Sequence, residues 1–157
     1  MGIEIERKFL LHHEEWHQVI KPAGKNLRQG YIHNDPAKTI RVRIAEEKAW
    51  LTIKGITVGA SRLEYEYEIP LAEAKELLDH FSEGELEKIR YEIGHQGKTW
   101  EVDVFSGDND GLIVAEIELL AEDEDFECPP WIDVEVTGDK RYYNASLTTY
   151  PYKDWED

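Results

Sequence analysis

Seven segments of this chain alternate between polar, mostly charged side chains and apolar ones, and the charges within a segment are largely of one sign. Glu4, Glu6 and Lys8 share one parity. So do Arg41 and Arg43, Thr52 and Lys54, Glu64, Glu66 and Glu68, Lys88 and Arg90, Glu101 and Asp103, and Glu116 and Glu118. Apolar residues such as Ile3, Ile5, Phe9, Val42, Leu51, Ile53, Tyr65, Tyr67, Ile89, Val102 and Ile117 stand between them. A period of two puts alternate residues on opposite faces of a β-strand, so each segment predicts a strand with one charged and one apolar face. A single strand of this kind is an ordinary half-buried strand with its polar side in water. Seven repeats fit that description less well, because like charges two apart repel and folding requires none of them. They suit ligands of opposite charge: a polyanion for the basic pairs and metal cations for the acidic ones.

Turn-forming residues divide the sequence into strands predicted at 3–11, 25–33, 39–46, 49–55, 61–69, 84–93, 98–105 and 112–120, with a weaker one at 132–137. Eight or nine strands in 157 residues must close, or nearly close, to avoid long unpaired edges. The expected class is mainly β (α+β). Pro70 opens the clearest helix, with Leu71, Ala74, Leu77, Leu78 and Phe81 on one stripe, and its expected role is to cap the barrel wall. Gln96-Gly97 and 106–111 read as hairpin connections, and 139–150 as a terminal helical segment. Without repeats or linkers, residues 1–157 read as one domain.

The chain carries 34 acidic and 18 basic residues, a net charge of −16. That argues against nucleic acid or an anionic membrane held by bulk electrostatics, since both need positive faces. One cysteine, Cys128, cannot form an internal disulfide, and the charged start at Glu4, Glu6, Arg7 and Lys8 is unlike a signal peptide, so a cytoplasmic location is expected. The sequence does not choose between monomer and homodimer.

With the charged faces turned inward, a lumen would hold Lys8, Arg41, Arg43, Lys54, Lys88 and Arg90 beside Glu4, Glu6, Glu64, Glu66, Glu68, Asp103, Glu116 and Glu118. Arginine forks and lysine point charges can clamp successive phosphates. Carboxylates two apart converge on a hard cation such as Mg²⁺ or Mn²⁺.

Glu4-Ile5-Glu6-Arg7-Lys8 resembles the E-x-E-x-K signature of the CYTH superfamily, the triphosphate tunnel metalloenzymes. The resemblance continues in order through Gln29-Gly30-Tyr31, Arg41-Val42-Arg43, Leu51-Thr52-Ile53-Lys54, Lys88-Ile89-Arg90-Tyr91, Glu101-Val102-Asp103-Val104-Phe105, Ala115-Glu116-Ile117-Glu118 and Glu135-Val136-Thr137-Gly138-Asp139. It implies an eight-stranded, mainly antiparallel closed tunnel with a few flanking helices, binding a small-molecule triphosphate and using Mg²⁺ or Mn²⁺. Carried over, Glu4, Glu6, Glu116 and Glu118 look like metal ligands, with Glu64 and Glu66 as helpers. Lys8, Arg41, Arg43, Lys54, Lys88 and Arg90 look like clamps, and Asp103 like a support that orients Arg90.

The motif set looks closest to small bacterial inorganic triphosphatases, which makes hydrolysis of tripolyphosphate to pyrophosphate and phosphate the expected reaction. Class IV adenylate cyclase and thiamine-triphosphatase are the rivals. A Lys8–Tyr31 pair is expected to position or deprotonate the attacking water, which would make activity rise into alkaline pH.

Three local patterns have simpler readings. His13-Glu14-Glu15-Trp16-His17 fits H-E-x-x-H but sits in a short polar segment next to a strand. Asp108-Asn109-Asp110-Gly111 lacks the glutamate that a calcium loop needs at its twelfth position, where Ile117 stands. Asn144-Ala145-Ser146 fits a glycosylation sequon with no sign of secretion.

Overall fold

The alternating segments form strands, described with residues 2–155 in a computed structural model of the chain. In order they are β1 (Ile3–Leu11), α1 (His13–Gln18), β2 (Lys25–Asp35), β3 (Lys38–Ala45), β4 (Lys48–Gly55), β5 (Ser61–Ile69), α2 (Leu71–Phe81), β6 (Glu85–His95), β7 (Lys98–Phe105), β8 (Ile113–Glu118), β9 (Ile132–Glu135) and α3 (Asn144–Leu147). The sheet runs β5-β4-β3-β2-β6-β7-β8-β1 and closes through β1 on β5, with β9 added beside β1. Every pairing is antiparallel, so the result is the expected eight-stranded barrel with one extra strand.

The closing seam is partial. Ile3, Glu4 and Ile5 pair with Leu63, Arg62 and Ser61 of β5, whereas Phe9 and Leu11 pair with Glu135 and Ile132 of β9. The chain after β9 fills the split: Val136 N–H donates to the Lys8 carbonyl at 2.8 Å, and Lys8 N–H to Thr137 Oγ1 at 2.9 Å.

Most element boundaries fall within two residues of those predicted. β2 runs on to Asp35 across a bulge between Tyr31 and His33. β8 stops at Glu118, though Leu119 N–H still donates to the Ile5 carbonyl at 2.8 Å, and β9 stops at Glu135. The Gln96-Gly97 hairpin is tight, with φ of 50° and 77°, the left-handed pair that a two-residue turn needs. Residues 106–111 form a longer connection with a 3₁₀ turn at Gly107–Asn109, and 139–150 breaks into a 3₁₀ turn at Lys140–Tyr142 followed by α3.

The apolar faces point outward and are covered. Phe9, Leu11, Trp100, Val102, Ala115 and Ile117 pack with Trp16 of α1 and with Leu119 and Trp131 of the loop before β9. Ala74 and Leu78 of α2 pack on Val42 and Ala49. Gly30 lets α2 sit this close to β2, since a Cβ there would meet Leu78 Cδ2 at 2.8 Å. Leu78 is 2% exposed, so Leu78→Ala is expected to lower unfolding stability by about 2–5 kcal/mol in a urea titration. A loss under about 1 kcal/mol would mean that α2 is not a structural wall.

The strand faces that carry charge become apolar at one end, at Leu10, Leu86, Phe105 and Val114. These residues pack with Leu112, Tyr142, Leu147 and Trp155 into a plug roofed by the terminal segment. The interior is therefore polar over part of its length and oily at one end. No described helix is long and apolar enough to cross a membrane.

Candidate active site

Inside the barrel is a cavity of about 370 Å³, lined by the charged faces of β1, β3, β4, β5, β6, β7 and β8 together with Tyr31 and residues 137–146. Among the described residues its wall carries seven acidic and seven basic side chains. Glu4, Glu6, Lys8, Tyr31, Arg41, Arg43, Lys54, Glu64, Glu66, Arg90, Glu116 and Glu118 all reach it. Glu68 does not line it.

The acidic side is only partly neutralised by the cations around it, Lys54 on Glu4 and Glu64 and Lys8 on Glu116. Burial, then repulsion from Glu116 and Glu4, pushes the Glu6 carboxyl up to about 8. Glu4 is raised by burial despite Lys54, and Glu118 is raised by burial and by Glu4. Glu116 and Glu64 go the other way: burial opposes the charge of each, but Lys8, Arg90 and Lys88 hold Glu116 well below the carboxylate range, and Glu4 and Lys54 lower Glu64. Glu4 and Glu64 form one hydrogen-bonded carboxyl pair, and Glu6 and Glu116 another. Among the described residues no three metal-binding side chains already converge as a closed cation site. The donor set nevertheless fits a divalent cation, because it is all carboxylate and, besides burial, mutual repulsion with Glu116 and Glu4 raises Glu6. Glu64 and Glu66 are partly engaged elsewhere, Glu64 with Lys54 at 3.2 Å and Glu66 with Thr52 Oγ1 at 2.8 Å.

The basic side shows the opposite imbalance. Burial, then Arg41 and Arg90, depresses the Arg43 guanidinium to about 10. Arg41 is 5% exposed, and its Nε is buried without a hydrogen-bond partner among the described residues. An unsatisfied buried guanidinium N–H is costly unless a ligand completes it. Arg90 is held rigidly: Nε and Nη2 donate to the two Asp103 oxygens at 2.8 and 2.9 Å, and Nη1 donates to Glu101 at 3.1 Å. Lys54 reaches Glu4 at 3.2 Å.

A second chain of contacts fixes Tyr31. Arg43 Nε donates to Gln29 Oε1 at 3.1 Å, so the Gln29 amide nitrogen faces Tyr31 and donates to its oxygen at 3.3 Å. The tyrosine oxygen is thus an acceptor here and keeps its own O–H for the lumen. Lys8 Nζ turns toward Glu116 at 3.4 Å and Glu6 at 3.9 Å. Burial opposes its charge, but these two carboxylates outweigh it and hold the ammonium above its ordinary value. No direct Lys8–Tyr31 hydrogen bond joins the pair among the described contacts.

Lys88, expected as a clamp, is not on the cavity wall. Its side chain is 0% exposed and donates to Asp103 at 2.8 Å and to Asn144 Oδ1 at 2.9 Å. Burial pushes it down to about 7, with Arg90 and Arg43 adding to the push and Asp103 opposing it. Alternation predicts its face correctly, but the face runs into the apolar plug at this depth. Arg62, Glu101, Thr137, Lys140, Tyr143 and Asn144 also line the cavity, and none of them was among the expected lumen residues, although Glu101 was placed on a charged strand face. Arg62 and Glu101 shared the parity of chosen residues and could have been found; the others sit in irregular chain, where no period points inward.

The H-E-x-x-H segment is a six-residue helix whose His13 and His17 rings stand 6.5 Å apart without a third described ligand.

A family model described as the CYTH domain matches residues 2–149. The chain is 49% identical to an inorganic triphosphatase of Acetivibrio thermocellus over 158 aligned positions covering the full length of both. It is 38% identical to an inorganic triphosphatase of Nitrosomonas europaea, across 92% of this chain and 95% of that one. A crystal structure of an inorganic triphosphatase superposes with a TM-score of 0.62 at 33% identity, covering 92% of this chain and 97% of the other. A putative adenylate cyclase from Bacillus halodurans shares the fold with a TM-score of 0.63, at 22% identity over 78% of this chain and 84% of that one.

Proposed function

The chain belongs to the CYTH domain family, and on that premise we propose that it is a metal-dependent inorganic triphosphatase that hydrolyses tripolyphosphate to pyrophosphate and phosphate inside the barrel. The observation that carries this reading is that one cavity wall gathers two sets of side chains short of partners: Arg41, Arg43 and Arg90, with Arg41 Nε buried and without a hydrogen-bond partner among the described residues, and the carboxylates of Glu4, Glu6, Glu116 and Glu118. A polyphosphate relieves the first and a divalent cation the second. The names of the relatives, inorganic triphosphatase in both cases, support the same choice.

Glu4, Glu6, Glu116 and Glu118 would hold the cation, with Glu64 and Glu66 assisting through rearranged ion pairs. Their oxygen-only chemistry suits Mg²⁺ or Mn²⁺. When bound, such a cation neutralises charge on phosphoryl oxygens and lowers the barrier to water attack. Arg41, Arg43 and Arg90 grip the anion as forks, and Lys54 and Lys8 as point charges. Asp103 fixes the Arg90 fork in place before substrate arrives, so little ordering remains to be done on binding.

Lys8 acts as a cation, since Glu116 and Glu6 hold its proton. The water-directing role falls to the Tyr31 hydroxyl, whose free O–H faces the lumen. Tyr31→Phe is expected to lower kcat about 10–100-fold with a smaller change in KM. An unchanged rate would return Tyr31 to a purely structural role.

The reaction is tested by phosphate release from tripolyphosphate, ATP and thiamine triphosphate with Mg²⁺ or Mn²⁺, alongside an assay for cyclic AMP. Fastest release from tripolyphosphate is expected. Cyclic AMP formation without tripolyphosphate hydrolysis would replace the triphosphatase by a cyclase.

A further inference from the structure

Asn144 opens α3 on the terminal segment, and its side chain lines the cavity. Its Oδ1 accepts a hydrogen bond from Lys88 Nζ at 2.9 Å. This contact sets the amide orientation: oxygen toward Lys88, NH₂ away from it. Lys88 is itself fixed by Asp103 at 2.8 Å, and the same carboxylate takes two hydrogen bonds from Arg90. The terminal segment is therefore tied to the basic side of the lumen through one rigid acceptor. No hydrogen bond joins Asn144 Nδ2 to another described residue, the atom is not sealed in the interior, and Asn144 is on the cavity wall, which leaves the NH₂ available to a ligand there.

We infer that Asn144 is a substrate-positioning residue that donates its amide N–H to a phosphoryl oxygen held at Arg90 and Arg43, and that Lys88 acts through it by holding the amide in the donating orientation. The inference rests on the triphosphatase reading above. A neutral amide adds direction where guanidiniums already supply charge: its two N–H bonds are planar and fixed, so a displaced phosphoryl group loses them. It also explains why a lysine sealed from the lumen can matter to an anion that it does not touch.

The test uses the full chain, with KM, kcat and Tm measured for tripolyphosphate hydrolysis, and tripolyphosphate affinity measured by calorimetry. Asn144→Asp keeps the shape and the acceptor for Lys88 but replaces the lumen-facing NH₂ by a carboxylate oxygen. It is expected to raise KM and Kd at least about tenfold without lowering Tm. Asn144→Ser, which shortens the side chain without adding charge, is expected to raise both about 3–10-fold. If Asn144→Asp leaves KM and Kd unchanged, Asn144 serves only to anchor the terminal segment and the inference is overturned. If the unaltered chain neither binds nor hydrolyses tripolyphosphate, the triphosphatase reading fails and this inference falls with it.

Discussion

Glu6→Gln is expected to do two opposite things: remove most of the turnover and make the metal-free protein more stable at alkaline pH. The turnover loss should exceed the 10–100-fold typical of residues one step removed from a metal. The stability gain follows from the Glu6 carboxyl. Its folded value is raised from 4.5 to about 8, so its favourable contribution is complete below about 4.5 and is lost as pH rises through about 8. At pH 9 the native lumen must hold that charge beside Glu116 and Glu4, with Lys8 at 3.9 Å compensating only in part. Glu6 keeps 22% of its side-chain surface in solvent, which screens part of the effect. A gain of roughly 2 kcal/mol, or about 4–8 °C in Tm, is therefore expected for Glu6→Gln at pH 9 in the presence of a chelator. At pH 4 the two proteins should melt together. In the unaltered chain, adding Mg²⁺ at pH 9 should recover the same stability, because a cation that binds only the folded state shifts the equilibrium toward it. A Glu6→Gln protein that melts lower than the parent at pH 9 would show that the carboxylate is already neutralised.

The second large effect is expected at Asp103→Asn. Asp103 is 1% exposed, is held down to about 2 by Arg90 and Lys88 against the cost of burial, and accepts three hydrogen bonds from those two cations. Replacing it by an amide removes the carboxylate that Lys88 and Arg90 share, leaves Arg90 with Glu101 at 3.1 Å and Lys88 with the Asn144 amide oxygen, and turns one acceptor into a donor. Breaking a buried ion pair on one side costs about 3–5 kcal/mol, and urea unfolding should show a loss of that size. The kcat/KM should fall about 10–100-fold as well, because Arg90 loses its fork geometry and Lys88 its anchor. The stability loss should shrink at acid pH, where Asp103 is itself titrated toward neutrality near 2. A change within about 1 kcal/mol would mean that Lys88 is neutral in the folded protein and that Asp103 serves Arg90 alone.

Much of this architecture was legible in the sequence because strand faces are. Period-two alternation placed Glu4, Glu6, Lys8, Arg41, Arg43, Lys54, Arg90, Glu116 and Glu118 on one face each, and closure of the barrel brings those faces to one cavity. What alternation cannot give is depth. Lys88 and Arg90 share a face, yet two residues along a tilted strand separate a sealed ammonium from a guanidinium that meets the lumen. The apolar plug of Leu10, Leu86, Phe105 and Val114 continues the same faces and looked like ordinary strand ends. No period places Asn144, Lys140 and Thr137 on the lumen: they lie on irregular chain after β9, which follows the strand that takes over from β5 beside β1 halfway along its length. The net charge of −16 also changes meaning inside the barrel, where the wall is balanced at seven charges of each sign.

The central claim is that one lumen carries an anion site and a cation site that complete each other. It is tested most directly by calorimetric titration of inorganic tripolyphosphate into the protein at pH 7.5, once with excess Mg²⁺ and once with a chelator. Affinity is expected to rise at least about tenfold with Mg²⁺, because the cation cancels carboxylate charge that otherwise repels the incoming phosphates. Equal affinity in both titrations would contradict it.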